Sequence, residues 1–253
     1  MTEAPTDPSG EPIAPVVILA YDGLAADEAS VLVEILTAAG LEVVIASVLD
    51  RRVTSYHGQV VAARTATEIN RCSALLVPGG LGVRTTAEHG PVLEAIAELS
   101  AKARWVGSTS TGSVLLAAAG VIDGARVTTH WLAGDLITDR GLDLVEEPFV
   151  EWGRLLTASG IVGAATLCFR IVGALLGHEA ETRVRNQFVP PSPSADRRYH
   201  REQRPWWRPR RPGWGGWRWN MGPSRLRVVE EEPLLALMDP EGRADVIVLD
   251  LVE

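Results

Sequence analysis

The stretch Trp105-Val-Gly-Ser-Thr-Ser-Thr-Gly-Ser-Val-Leu-Leu-Ala-Ala-Ala-Gly120 contains a strand, a turn and a helix with no residues to spare between them. Trp105-Val-Gly107 is short and apolar, as a buried strand requires, and residues 110–119 are rich in Ala and Leu with Gly120 as a stop. The turn Ser108-Thr-Ser-Thr-Gly112 must therefore present its middle residue, Ser110, at a helix N-terminus, where backbone N–H groups point outward and favour an anion. This is the arrangement of a nucleophile elbow, although the G-x-S-x-G pattern is absent. The same small hydroxyl residues also suit a plain helix cap.

Working outward, the pattern repeats. Residues 15–21 (Pro-Val-Val-Ile-Leu-Ala-Tyr) read as a buried strand, and residues 27–39, with Val31, Leu32, Ile35 and Leu36 on one face and Gly40 behind them, as a helix. Residues 41–47 and 74–77 read as further strands, the second running into Pro78-Gly79-Gly80. Residues 91–103, 160–176 and 178–187 read as helices. Strands alternating with helical crossovers predict an α/β fold, a mostly parallel sheet covered on both faces. Ligands in such sheets bind beyond the carboxyl ends of the strands, which selects the 79–82 loop and the 108–112 turn.

Composition sets the remaining bounds. The chain has 253 residues, 46% hydrophobic and 22% charged, enough for one sizeable core. It has no apolar run long enough to cross a membrane, and residues 1–15 lack the basic-then-apolar pattern of a secretion signal, so a cytoplasmic protein is expected. Cys72 and Cys168 sit in apolar stretches without ligand spacing, which predicts neither a disulfide framework nor a metal site.

Charge divides the chain. Residues 194–227 hold ten Arg against Asp196 and Glu202, a net of +8 within a chain of net −8, so all other residues together carry −16. Five of the eight Trp and four Pro lie in the same segment, which excludes a regular helix or central strand. The expected organisation is a disordered tail (1–13), an α/β domain (14–194), an irregular Arg/Trp/Pro-rich segment (195–227) and a C-terminal β-hairpin (228–253). Folding back onto the acidic body, or packing in a dimer arm, is expected of the Arg/Trp segment ahead of nucleic-acid binding through 197–219.

Three residues carry the candidate chemistry. Ser110 is the elbow residue. His130 ends the short strand expected at Val127-Thr-Thr-His-Trp131, although a lone His is more often structural. Glu28, in the first turn of the first helix, opens onto the elbow's edge of the sheet, and the neighbouring Asp27 suits that position equally well.

The order Leu76-Val-Pro-Gly-Gly80, the elbow with its Ala-rich helix, then Val127-Thr-Thr-His-Trp131, resembles the ThiJ/PfpI family of the class I glutamine amidotransferase-like superfamily, in its isonitrile-hydratase branch. Leu156-Thr-Ala-Ser-Gly160 and the Pro-rich 188–193 are similar to that group as well. The resemblance implies a flavodoxin-like three-layer sandwich, a homodimer, and no metal or organic cofactor. It also implies that Glu28 faces the elbow and shuttles protons. The family's elbow residue is normally a cysteine, and Ser110 stands in its place. A serine hydroxyl needs a neighbouring base, so thiolate chemistry is not expected.

Three readings follow. In one, Glu28 is the acid/base, Ser110 positions substrate or water, and Thr111 with the Gly79 and Gly80 amides holds developing negative charge, Trp131 lining the substrate site, which suits hydration, dehydration or cyclisation of a small, largely apolar molecule. In another, Ser110 is a nucleophile activated by His130 or Glu28. In the third, the site only binds a ligand.

Overall fold

The computed structural model describes residues 5–7 and 10–189. In chain order the elements are β1 (Val16–Leu19), α1 (Ala26–Ala38), β2 (Val43–Ser47), β3 (Arg52–Thr54), β4 (Val60–Ala62), β5 (Arg64–Thr65) and β6 (Ala74–Val77). There follow α2 (Val83–Thr86), α3 (Gly90–Lys102), β7 (Trp105–Thr109), α4 (Gly112–Ala118), β8 (Arg126–Val127), α5 (Gly134–Thr138) and β9 (Asp143–Leu144). The last are β10 (Phe149–Trp152), β11 (Leu155–Ala158), α6 (Ile161–Leu176) and α7 (His178–Phe188).

The main sheet runs β10-β11-β7-β6-β1-β2-β5. All its pairs are parallel except β10 with β11 at one edge. The central strands are buried at every position, which is why they read as unbroken apolar runs rather than alternating ones. Helices α1, α6 and α7 pack together over one face, while α2, α3, α4 and α5 cover the other. The result is the covered, mostly parallel sheet expected from the alternation of strands and helices, in the three-layer flavodoxin-like form that the resemblance implies. Leu32, Leu36, Ile96, Leu115, Leu116 and Phe169 are among its fully buried side chains, each stabilising the fold by about 1.5–3 kcal/mol relative to exposure. Among the described residues no helix is long and apolar enough to cross a membrane.

Several local expectations change. The first strand is shorter than residues 15–21, because Ala20 and Tyr21 already belong to the loop that carries the chain over the sheet edge. The elbow helix begins at Gly112 rather than Ser110, since Ser110 has φ +51°, a left-handed conformation no helix interior accepts. The strand expected to end at His130 is only two residues long and pairs with β9 in a separate small sheet. His130 instead precedes a 3₁₀ turn, Trp131–Ala133. The β3–β4 hairpin is unannounced, its three-residue strands being too short for a periodicity to register.

Within the stretch expected to be a disordered tail, Thr6 pairs with Pro12 and Ile13 packs against the core. The Pro-rich end at 190–193, the Arg/Trp-rich segment and the C-terminal hairpin lie outside the described residues.

Candidate active site

Three loops converge beyond the carboxyl ends of β1, β6 and β7. The β1–α1 loop is laid onto the β6–α2 loop by a bridge between Leu24 and Gly80 and by the Ala25 amide, which donates to the Gly79 carbonyl at 2.7 Å. Tyr21 ties the same two loops from below, its hydroxyl donating to the Pro78 carbonyl at 2.8 Å. Gly80, with φ +150°, has no room for a side chain: a Cβ would lie 2.2 Å from the Gly23 carbonyl oxygen. This close approach brings the first turn of α1, and with it Glu28, over the elbow.

Glu28 is 7% exposed. Its Oε2 accepts a 2.6 Å hydrogen bond from the Thr109 hydroxyl and a longer one, 3.3 Å, from the Gly79 amide. Asp27 is exposed on the outer side of the same turn, so of the two adjacent acids only Glu28 is turned into the site. Burial, and secondarily the charge of Glu28, pushes the Tyr21 phenol far above its ordinary value, leaving it a neutral donor.

Ser110 is also 7% exposed, and its backbone is pinned from three sides. Its amide donates to the Ala158 carbonyl at 2.7 Å, and its carbonyl accepts from the Thr129 hydroxyl at 3.0 Å and from the Ser113 hydroxyl at 3.4 Å. These bonds hold the left-handed backbone, which costs roughly 1–2 kcal/mol in a non-glycine residue. Gly79 lies directly against the elbow: a Cβ there would sit 2.7 Å from the Ser110 Cβ and 2.8 Å from the Thr111 nitrogen.

The oxyanion role expected for Gly79 and Gly80 does not fit this arrangement. Both amides are already engaged, Gly79 with Glu28 and Gly80 with the Thr111 hydroxyl at 3.0 Å. Thr111 thus fastens the elbow to the glycine loop, its hydroxyl lying 3.2 Å from the Gly80 carbonyl as well. His130 stands next in the chain to Thr129 but bonds elsewhere, its Nδ1 accepting from the Leu132 amide at 3.3 Å. Among the described residues it makes no hydrogen bond to Ser110 or Glu28. Its ring lies 5.8 Å from that of Trp131, which is 79% exposed.

Residues that the sequence did not single out complete the site. Thr109, the last residue of β7, holds Glu28, and no local pattern distinguishes it from its hydroxyl neighbours. Tyr56, at the tip of the β3–β4 hairpin, is brought to the first turn of α1 by its amide, which donates to the Leu24 carbonyl at 3.1 Å. Desolvation, then the charges of Asp27 and Glu28, raise its phenol above the ordinary range. Leu81, Leu132, Val162 and Trp131 are exposed large apolar side chains.

Fold and site define an α/β protein of the doubly wound type, with a buried carboxylate facing a strand–turn–helix elbow. The chain belongs to the DJ-1/PfpI family, whose pattern matches residues 14–174. Isonitrile hydratase from Pseudomonas putida is 34% identical over 146 residues, covering 57% of this chain and 64% of that protein, so the match spans just under two thirds of the relative. The HTH-type transcriptional regulator CdhR from Pseudomonas aeruginosa is 34% identical over 86 residues, 33% of this chain and 26% of the regulator. The crystal structure of a ThiJ/PfpI family protein from Pseudomonas syringae shares the fold, with a TM-score of 0.65 at 22% identity over 72% of this chain and 77% of that one.

Proposed function

We propose that this protein is a hydratase-type lyase acting on a small, largely apolar molecule, with isonitriles as the substrate class, and that Glu28 moves the protons. The observation that carries this reading is the buried Glu28 carboxylate, fastened by Thr109 and Gly79 beside Ser110. The similarity to isonitrile hydratase supports the substrate class.

In this reading the protonated Glu28 carboxyl delivers a proton to the terminal carbon of R–NC. Water forms its C–O bond to the same carbon, and the carboxylate takes the proton that water releases. A proton shift from oxygen to nitrogen then leaves R–NH–CHO, so the atoms of isonitrile and water are all accounted for. Ser110 orients the water, and the Thr111 amide, which donates to no carbonyl among the described residues, is free to donate to the nitrogen lone pair that forms as water adds. Ser110 is not assigned as nucleophile because its hydroxyl makes no hydrogen bond to a base among the described residues: His130 Nδ1 accepts from the Leu132 amide and Glu28 Oε2 from Thr109.

The test is turnover of cyclohexyl isonitrile to the formamide, followed by mass spectrometry, beside p-nitrophenyl acetate hydrolysis. Glu28→Gln is expected to abolish formamide formation and Ser110→Ala to reduce it by roughly ten- to a hundredfold. Ester cleavage lost only in Ser110→Ala would move the protein to the serine hydrolases. Binding of isonitrile without turnover would make it a ligand-binding member of the family.

A further inference from the structure

A cavity of about 180 Å³ opens beyond the carboxyl ends of β1 and β2, and neither Glu28 nor Ser110 lines it. Its polar lining is unusually short of partners. Ser47 and Thr86 are 3% and 8% exposed, yet neither hydroxyl has a hydrogen-bond partner among the described residues. His89 Nδ1 is buried and equally unpaired. Asp22 and Asp50 each spend one oxygen on a backbone amide, that of Thr54 at 2.8 Å and that of Arg52 at 3.1 Å, and keep the other. No Lys or Arg lines the cavity. The remaining wall is apolar, formed mainly by Val48, Val53 and Val92.

The Ser47 and Thr86 hydroxyls open onto the cavity without a protein partner and are available to a polar guest. Two carboxylates with no cation beside them select a positively charged donor. A metal ion is not the natural occupant, since among the described residues no three His, Cys, Asp or Glu are placed to hold one. The volume corresponds to roughly six waters, or an organic molecule of similar size.

We infer that this cavity is a binding site for a small alkylammonium compound, distinct from the elbow and independent of the reaction proposed there. The three N–H groups of the ammonium donate to Asp22, Asp50 and Ser47, and the alkyl group lies on the valines.

The experiment is a ¹⁵N–¹H NMR titration of the full chain with isobutylammonium chloride, beside isobutanol and sodium chloride at equal concentrations. Saturable shifts of the Ser47, Val48, Thr86 and Val92 amides with the ammonium alone are expected, weakened roughly tenfold by Asp50→Asn, whose retained Oδ1 still accepts from Arg52. Asp22→Asn serves as a second variant with the same expectation, and thermal melting of each variant shows that it is folded. The assignment is overturned by shifts that do not saturate, by equal binding of isobutanol, by shifts confined to the Glu28 and Ser110 loops, or by unchanged affinity in both folded variants.

Discussion

Replacing Thr109 with valine removes one hydroxyl from a buried strand end and leaves shape and β-propensity nearly intact. In the wild-type protein that hydroxyl makes a 2.6 Å bond to the Glu28 carboxylate, whose only other donor among the described residues is the Gly79 amide at 3.3 Å. The second bond is too long to compensate. Loss of a charge-assisted bond at a buried group costs about 1.5–3 kcal/mol. With a urea slope of about 2–3 kcal/mol/M for a domain of this size, the unfolding midpoint should fall by roughly 0.5–1.5 M. The interaction is isolated by repeating the change in a Glu28→Leu background. There the Thr109 hydroxyl has lost its acceptor, so its removal should be neutral or slightly stabilising. The coupling energy should therefore match the single-variant cost, about 1.5–3 kcal/mol. If Thr109→Val costs the same in both backgrounds to within about 0.5 kcal/mol, Thr109 does not hold Glu28 and the geometry of the site is wrong.

Gly79→Ala puts a Cβ within 2.9 Å of three elbow atoms, the Ser110 Cβ and Oγ and the Thr111 nitrogen. Overpacking of this kind costs about 1–3 kcal/mol, and calorimetry should show Tm lower by roughly 3–10 °C, an unchanged Tm counting against the tight contact. Burial raises the Cys168 and Tyr21 pKa values above their ordinary 9.0 and 10.0. Between the unfolded and folded values the native state keeps protons that the unfolded chain has lost, so stability is level below about pH 9 and falls as pH rises beyond it. Each group contributes a slope of about 1.4 kcal/mol per pH unit. Urea unfolding from pH 8 to 11.5 should show this limb, and Tyr21→Phe should flatten its part above pH 10. Cys72 and Cys168 are buried with raised thiol pKa values, so Ellman's reagent should label neither in the native protein and both in urea, whereas fast native labelling would contradict their placement.

The layered architecture was legible in the sequence because its signals are local and repeated. The runs at 16–19, 43–46 and 74–77 are apolar throughout, as strands covered on both faces must be, and the helices between them keep one apolar stripe. The elbow was legible for the same reason: Trp105 to Gly120 leaves no residues for anything but a tight strand-to-helix turn. Glu28 was reachable too, as an acid in the first turn of the first helix, but its neighbour Asp27 met the same description. Only the tertiary structure separates them, because the rotation of α1 is set by the burial of Leu32, Leu36 and Ile35 and by the Leu24–Gly80 bridge.

His130 and Thr109 show the same limit from opposite sides. His130 drew notice as a residue type, yet a two-residue strand and a 3₁₀ turn leave its Nδ1 on the Leu132 amide. Thr109 drew none, since one threonine among four neighbouring Ser and Thr residues carries no mark, yet it makes the shortest bond to Glu28. Sequence alone thus determined the alternation of strands and helices and the residue at the elbow, for which neighbours along the chain suffice. Tertiary structure decided which carboxylate enters the site, which hydroxyl holds it, and that the glycine amides are occupied. Those contacts join residues 51 and 81 positions apart in the chain, and their geometry exists only once the three loops have been packed against one another.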